Sequence, residues 1–291
     1  MITMNRQNVK SVSVTIVVFV IIIYILYGHK NQNHNEESVV DFLKFKLTHT
    51  PSKIMSLDDL NGRGEQDELL LTYARDVMIE PSSRDVPYFM DDSSPRDFSG
   101  LNYNEIFSTL LKNKKNGFFV DCGAFDGEHG SVSMGFERDF NWTGLLVDAG
   151  PSGIQKIMMK SRKAWFAPTC MSTQRKSMIV TFEERGMQSR IAQGGSDHTG
   201  PVVRSLCLPF HTMMQAMGVS KVDLFNLDVE GMELPILKTI DFNLVPVDAM
   251  VIEHFNNNET VRNEIKRIME ENGFRFYLEN TYDYLFIHSR V

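Results

Sequence analysis

Three apolar runs in this sequence each end on an aspartate: Phe118-Phe119-Val120-Asp121, Leu145-Leu146-Val147-Asp148 and Val222-Asp223-Leu224-Phe225-Asn226-Leu227-Asp228. Runs this short and this apolar read as buried strands, and the stretches between them carry helical spacing. Asn104 can cap a helix bearing Ile106, Phe107, Leu110 and Leu111; Ser131 to Phe140 reads as a second helix, and Pro151-Ser152 opens a third through Ile154, Ile157 and Met158. Ala164 to Ala167 is a further strand, and Met178–Phe182 and Val202–Leu208 read as strands around a Gly194-Gly195 turn. His211–Met217 is helical, as is the segment with Leu234, Ile236 and Leu237; Ala249–Glu253 is a strand and Glu259–Asn272 a charged amphipathic helix. Arg275–Leu278 and Asp283–Ile287 close as a hairpin. Alternation of this kind predicts an α/β, doubly wound sheet with a mostly parallel core.

Composition narrows the partners. With 291 residues, 42% hydrophobic and 23% charged, the chain is globular, which excludes low-complexity, collagenous and wholly disordered classes. Its net charge is −7, and the only charged side chains of residues 1–27 are Arg6 and Lys10, so the body is more acidic still. An acidic body argues against broad nucleic-acid binding, which needs clustered cations. Cys122, Cys170 and Cys207 are too few for a zinc cluster or a disulfide scaffold, and no metal is expected. Cys122 reads as a packed thiol, while Cys170 and Cys207 flank an irregular insertion and could pair in an oxidising lumen.

Val12 to Leu26 is apolar apart from Ser13 and Thr15. With its flanks, Ser11–Tyr27 reaches the short end of what crosses a bilayer of about 30 Å hydrocarbon, and Tyr24 and Tyr27 suit the interface. A cleaved signal peptide is the alternative, but the run exceeds the usual apolar core of one and no small-x-small site follows. Arg6 and Lys10 before the segment place the N-terminus in the cytosol. The expectation is therefore a single-pass type II protein of the endoplasmic reticulum, Golgi or endosomal system, touching the lipid bilayer through Ser11–Tyr27, with its C-terminal domain lumenal. The sequons Asn141-Trp142-Thr143 and Asn258-Glu259-Thr260 permit that topology. Residues 1–10 form a short tail, 11–27 the anchor, 28–99 a stem with one amphipathic helix between Glu65 and Ile79, and 100–291 the α/β domain.

In an open α/β sheet, ligands sit beyond the carboxyl ends of the strands, where the strand order reverses. Asp121, Asp148 and Asp228 all fall at that edge, and Gly123 and Gly127 let the chain turn tightly and approach a ligand. Asp148 is placed to accept hydrogen bonds from two vicinal ribose hydroxyls. The Asp-x-Gly-x-x-x-Gly pattern from Asp121 to Gly127 is not the dinucleotide fingerprint; it resembles the first motif of class I S-adenosylmethionine-dependent methyltransferases.

The closer resemblance is to FkbM-type methyltransferases, carried by Phe118 to Ala124, Asn141 to Asp148, Arg162 to Trp165 and, most specifically, Val222 to Glu233. The resemblance covers about residues 100–291. The anchor and the loop-rich residues 61–99 also resemble a membrane-anchored animal branch of that family, typified by an insect protein associated with cargo export from the endoplasmic reticulum. The resemblance implies a class I Rossmann-like fold: a mostly parallel seven-stranded sheet with a C-terminal antiparallel hairpin, here preceded by one N-terminal transmembrane helix. It implies S-adenosyl-L-methionine as cofactor, with Asp121, Gly123, Ala124 and Gly127 at its methionine end, Asp148 at the ribose, and Met171 and Ser172 near the adenine. It also implies methyl transfer to a hydroxyl acceptor, with Asp228, Glu230, Glu253 or His254 taking up the proton. Two readings stay beside these: Glu233 is an acid in a first helical turn, where it meets the helix dipole, and His254 before Phe255 sits on an exposed loop rim. The alternative to an enzyme is a trafficking factor that binds a membrane cargo protein and keeps only the fold.

Overall fold

The computed structural model describes residues 56–94, 97–183, 190–191, 202–255 and 257–291. The expected tail, the anchor Ser11–Tyr27, the first part of the stem and the Gly194-Gly195 turn lie outside the described residues. Among the described residues no helix is long and apolar enough to cross a membrane.

The central layer is a seven-stranded sheet. In chain order its strands are β1 (Phe118–Cys122), β2 (Thr143–Val147), β3 (Trp165–Ala167), β7 (Val222–Leu227), β8 (Val247–Glu253), β9 (Phe274–Glu279) and β10 (Asp283–His288), and in space they run β3-β2-β1-β7-β8-β10-β9. The first five are parallel, while β10 is antiparallel to both β8 and β9. The predicted hairpin is therefore the edge of the sheet. The chain leaves β1 toward β2 and β3, then returns to lay β7 on the other side of β1, so the strand order reverses between β1 and β2 on one side and β7 on the other. That reversal opens a crevice at the carboxyl ends of β1 and β7. The excursion between β3 and β7 builds a small antiparallel sheet, β5-β4-β6, from β4 (Met178–Glu183), β5 (Arg190–Ile191) and β6 (Val202–Cys207).

Each central strand divides its side chains between two buried layers, as a sheet covered on both faces requires. Val120, Leu145, Val147, Phe225, Leu227, Met250 and Ile252 face one layer; Phe119, Leu146, Leu224, Ala249 and Val251 face the other. On the second layer lie α2 (Tyr103–Leu110) and α3 (Met134–Phe140), which contribute Tyr103, Phe107 and Phe136. On the first lie α1 (Glu68–Val77) and α5 (Phe210–Met217); the chain also carries α4 (Pro151–Met159), α6 (Glu233–Leu237) and α7 (Glu259–Glu271).

The amphipathic helix expected in the stem is α1. Asp67 caps it by accepting hydrogen bonds from the Leu69 and Leu70 N–H groups, and its apolar stripe of Leu70, Leu71 and Ala74 is fully buried in contact with α5. Ile79 then pairs with Phe166 at the edge of β3. Residues from Leu57 onward thus pack with the α/β domain as one unit, so the fold extends upstream of residue 100. Two helix starts also differ from expectation. The residue capping α2 is Asn102, with a left-handed φ of 61°, and Asn104 is buried within the helix. Helix α3 begins at Met134 rather than Ser131, because Ser131 and Ser133 turn their hydroxyls to Asp121.

Candidate active site

Asp121 ends β1 almost fully buried and accepts three hydrogen bonds: Ser133 Oγ at 2.5 Å and Ser131 Oγ at 3.3 Å on Oδ2, and Asn226 Nδ2 at 2.9 Å on Oδ1. It therefore ties β1 to the segment before α3 and to β7. Ser133 also accepts from Arg162 at 3.0 Å, and the Arg162 guanidinium is paired with the buried Glu137 at 3.0 Å. A buried charge needs this density of partners to be tolerated.

Beyond Asp121 the chain passes beneath the exit of β7. The Asp228 N–H donates to the Cys122 carbonyl at 3.0 Å, and the Gly123 N–H donates to the Val147 carbonyl at 3.0 Å. Gly123 has φ +91°, and a Cβ there would stand 1.7 Å from the carbonyl oxygen of Asp228. Glycine is demanded by protein backbone on the far side, a reason additional to approach by a ligand. At the end of β2, the half-buried Asp148 accepts from the Phe125 N–H and the Gly150 N–H, both at 2.8 Å. Those two donors fix the carboxylate at the crevice wall before any ligand arrives.

Asp121, Gly123, Ala124, Asp148, Met171, Asp228 and Glu230 line one open cleft at the strand reversal. Gly127, Ser172, Glu253 and His254 are not among its lining residues. The Gly127 carbonyl accepts from Arg162, and its Cα faces Ile157. Ser172 is buried: its hydroxyl donates to the Lys176 carbonyl at 2.7 Å and its N–H to the Leu208 carbonyl at 2.8 Å, so it shapes the entry to the small sheet. His254 is not an exposed rim residue. It is 2% exposed, because the hairpin folds back over the end of β8: the His254 N–H donates to the Tyr282 carbonyl at 2.7 Å and the ring lies 4.0 Å from that of Tyr284. Glu233 follows the helix-start reading, accepting from the Val229 and Gly231 N–H groups at 2.9 and 3.1 Å.

Asn226, Ser131 and Ser133 complete the Asp121 network, and the signal for Asn226 was present as an amide inside a strand whose only other polar residue is Asp223. Cys170 and Cys207 form a disulfide, which brings the loop after β3 to the end of β6 at the cleft; Cys122 is the free thiol, and burial pushes its pKa well up. Among the described residues lining the cleft there is no lysine or arginine, against Asp121, Asp148, Asp228 and Glu230. Burial, reinforced by the carboxylate of Asp283 and by Glu233 and Glu230, pushes Asp228 well above the usual carboxylate range. Burial beside Asp228 does the same to Glu253. The arrangement can hold a cationic ligand and take up a proton.

Residues 121–276 match the Methyltransferase FkbM domain family. The chain belongs to that family. The matched stretch runs from the Asp121 turn into the start of β9, so it contains every residue lining the cleft. Among solved structures, an FkbM methyltransferase from Methylobacillus flagellatus is similar at 15% identity and a TM-score of 0.41, over 66% of this chain and 48% of that one. This chain thus spans about half the length of that FkbM relative. A precorrin-6y C5,15-methyltransferase from Geobacter metallireducens is similar at 12% identity and a TM-score of 0.35, over 71% of this chain and 93% of that one. A putative RNA methyltransferase from Pyrococcus horikoshii is similar at 12% identity and a TM-score of 0.34, covering 76% and 99%. No curated protein matches.

Proposed function

We propose that this FkbM domain binds S-adenosyl-L-methionine in the cleft and transfers its methyl group to a hydroxyl acceptor. The observation that carries this reading is a cleft at the strand reversal whose described walls hold four carboxylates and neither lysine nor arginine. Such walls suit a ligand bearing a sulfonium and an ammonium, and the fixed Asp148 carboxylate suits a ribose diol. The residues fit the group: Gly123 and Ala124 bring main chain to the cleft, and Met171 supplies an apolar, buried wall near the disulfide.

When bound, the cofactor supplies an electrophilic methyl group. The protein's part is alignment of the acceptor oxygen and uptake of its proton as the new carbon–oxygen bond forms. Asp228 and Glu230 line the cleft and are the groups able to accept that proton; Glu253 acts behind Asp228, with which it shares a hydrogen bond. His254 and Ser172, held by other partners, have no part in this scheme.

The proposed setting is a type II membrane protein with its domain in the lumen of the secretory pathway. Supporting it are the apolar Ser11–Tyr27 run, the Cys170–Cys207 disulfide, a bond that persists in oxidising compartments, and the exposed positions of Asn141 and Asn258. Asn258 caps α7 through its oxygen and leaves its amide nitrogen to carry a glycan. A mass shift on glycosidase treatment that Asn258→Gln reduces would support this setting; an unmodified protein in secretory membranes would count against it.

Calorimetric titration of S-adenosylmethionine into the purified protein tests the activity. Loss of charged hydrogen bonds to a diol is worth about 1.5–3 kcal/mol each, so Asp148→Ala is expected to weaken binding at least about tenfold while the fold persists. Unchanged affinity in that variant would remove the assigned site. No binding by a folded wild-type protein would remove the enzyme reading and leave the trafficking one.

A further inference from the structure

We propose that Asp228, Glu230 and Glu253 form a binding site for an oxygen-preferring divalent cation on the β7–β8 side of the cleft. The inference deepens the methyltransferase reading only in what the ion would do there; the binding of the ion does not depend on that reading. No metal was expected from the sequence, since metal sites are sought in histidine and cysteine spacing and these acids come from the ends of two strands, Asp228 and Glu230 after β7 and Glu253 at the end of β8.

The register makes the site. Leu227 on β7 stands opposite Ile252 on β8, so the next residues of the two strands, Asp228 and Glu253, lie side by side. Glu230 returns to them through a left-handed turn with φ +55°, followed by Gly231 at +96°. One carboxylate oxygen from each of the three lies within 4.8 Å of the other two.

A cluster of acids alone does not make a site, but Glu253 adds a second observation. It is 8% exposed, and its Oε2 is buried without a hydrogen-bond partner. Neighbouring acids are provided for: Asp283 accepts from Tyr103 Oη at 2.5 Å, and Glu233 accepts from two backbone N–H groups and from Asn257 at 3.2 Å. Among the described residues no lysine or arginine forms an ion pair with Asp228 or Glu253. A buried acceptor left unpaired is costly, and a cation held by hard oxygen donors is the ligand that would satisfy it.

The geometry suits magnesium, manganese or calcium. Octahedral oxygen donors about 2.1 Å from an ion stand roughly 3–4.2 Å apart, so a sub-ångström side-chain movement closes the set. Three protein oxygens leave the remaining positions to water or ligand. Because Asp228 and Glu230 line the cleft, those positions open toward a bound acceptor, and the acceptor class that fits is an oxygen donor such as a hydroxyl, whose proton the ion would acidify.

The test uses metal-stripped, cofactor-free protein titrated with MnCl2, MgCl2 and CaCl2, read by thermal unfolding and by electron paramagnetic resonance of bound manganese. At a hundredfold excess over Kd the unfolding temperature is expected to rise by about 5–10 °C. Glu253→Gln and Glu230→Gln should each weaken manganese binding at least tenfold, whereas Glu264→Gln, a half-buried acid on α7 paired with Arg267 and Lys238, should not change it. Glu230→Gln lies on a half-buried loop, so it serves if Glu253→Gln fails to fold. Absence of bound manganese in the wild-type protein at millimolar metal overturns the proposal and leaves Asp228 and Glu253 as a proton-sharing pair. Binding that survives both glutamine variants overturns it too, placing the ion elsewhere. Because no cofactor is present, neither result touches the S-adenosylmethionine titration.

Discussion

Substitution of Gly123 by alanine separates two reasons for a glycine in the turn after β1. Gly123 and Gly130 both have left-handed φ, +91° and +71°, so alanine at either costs about 1–2 kcal/mol in backbone strain. A Cβ on Gly130 meets nothing within 4 Å, whereas one on Gly123 lies 1.7 Å from the Asp228 carbonyl oxygen. Both sides of that contact are backbone, so no rotamer relieves it, and the strand exits must separate until the contact exceeds 3.0 Å. Separation breaks the hydrogen bond from the Asp228 N–H to the carbonyl of the buried Cys122, which adds about 1–3 kcal/mol. Gly123→Ala should therefore lose at least about 1 kcal/mol more than Gly130→Ala, a gap of at least about 2–4 °C in unfolding temperature for a domain of this size. Urea unfolding followed by tryptophan fluorescence measures it, since Trp142 is fully buried against Gly117, just before β1. Equal losses, within about 0.5 kcal/mol, would mean that the β1 and β7 exits are not locked together, and the account of the cleft floor would fail.

Two further perturbations follow from buried charge. Glu137→Gln leaves the Arg162 guanidinium, 3% exposed, without its carboxylate, and should destabilise by about 3–5 kcal/mol in urea unfolding. The double variant Glu137→Leu/Arg162→Met should recover only part of that loss, because the Gly127 carbonyl and the Lys163 N–H also lose a partner, and a single-variant loss under about 1 kcal/mol would show that water reaches the pair. His211, whose Nε2 accepts from the Asp241 N–H at 2.9 Å, is held below the usual histidine pKa by burial and by Arg175, against the opposing pull of Glu65 and Asp241. Its contribution is complete above the unfolded pKa of about 6.5 and is lost as pH falls through the folded value, so stability should drop on acidification from neutrality. His211→Asn should flatten that slope, and an unchanged slope would assign it to other groups.

The parts of the fold that could be read from the sequence are those set by local pattern. β1, β2, β7 and the hairpin follow from apolar runs and their punctuation, and α5 from its helical spacing. The α1 stripe was equally visible, but its partner α5 lies far along the chain, so a helix of the domain looked like part of a stem. The site divides in the same way. Asp148 is positioned by donors from adjacent turns and reads correctly as a strand-terminal acid. Asp121 looks identical in sequence, yet its oxygens are taken by Ser131, Ser133 and Asn226. His254 was misplaced because its environment is made by Tyr282 and Tyr284, across a strand pairing that nothing in the local sequence of the His254 segment specifies.

The two sides of the cleft are built on different physics, and the difference bears on how they would work. On the β1–β2 side, each acid has neutral donors pointed at it: serine hydroxyls and an amide for Asp121, backbone N–H groups for Asp148. Neutral donors fix a carboxylate without cancelling its charge, which yields a rigid wall with a standing negative potential. On the β7–β8 side, the half-buried Asp228 lies beside the buried Glu253, and like charges this close and this poorly solvated do not both ionise readily without a cation or a shared proton. The first side is thus complete before ligand arrives, and the second is not. A ligand that binds chiefly to the first wall should show little dependence on added metal. A ligand that requires the second should bind more tightly once the charge there is met, whether by metal, proton or sulfonium. Cofactor affinity and acceptor affinity, measured with and without manganese, would consequently respond differently in this cleft, and equal responses would contradict the division.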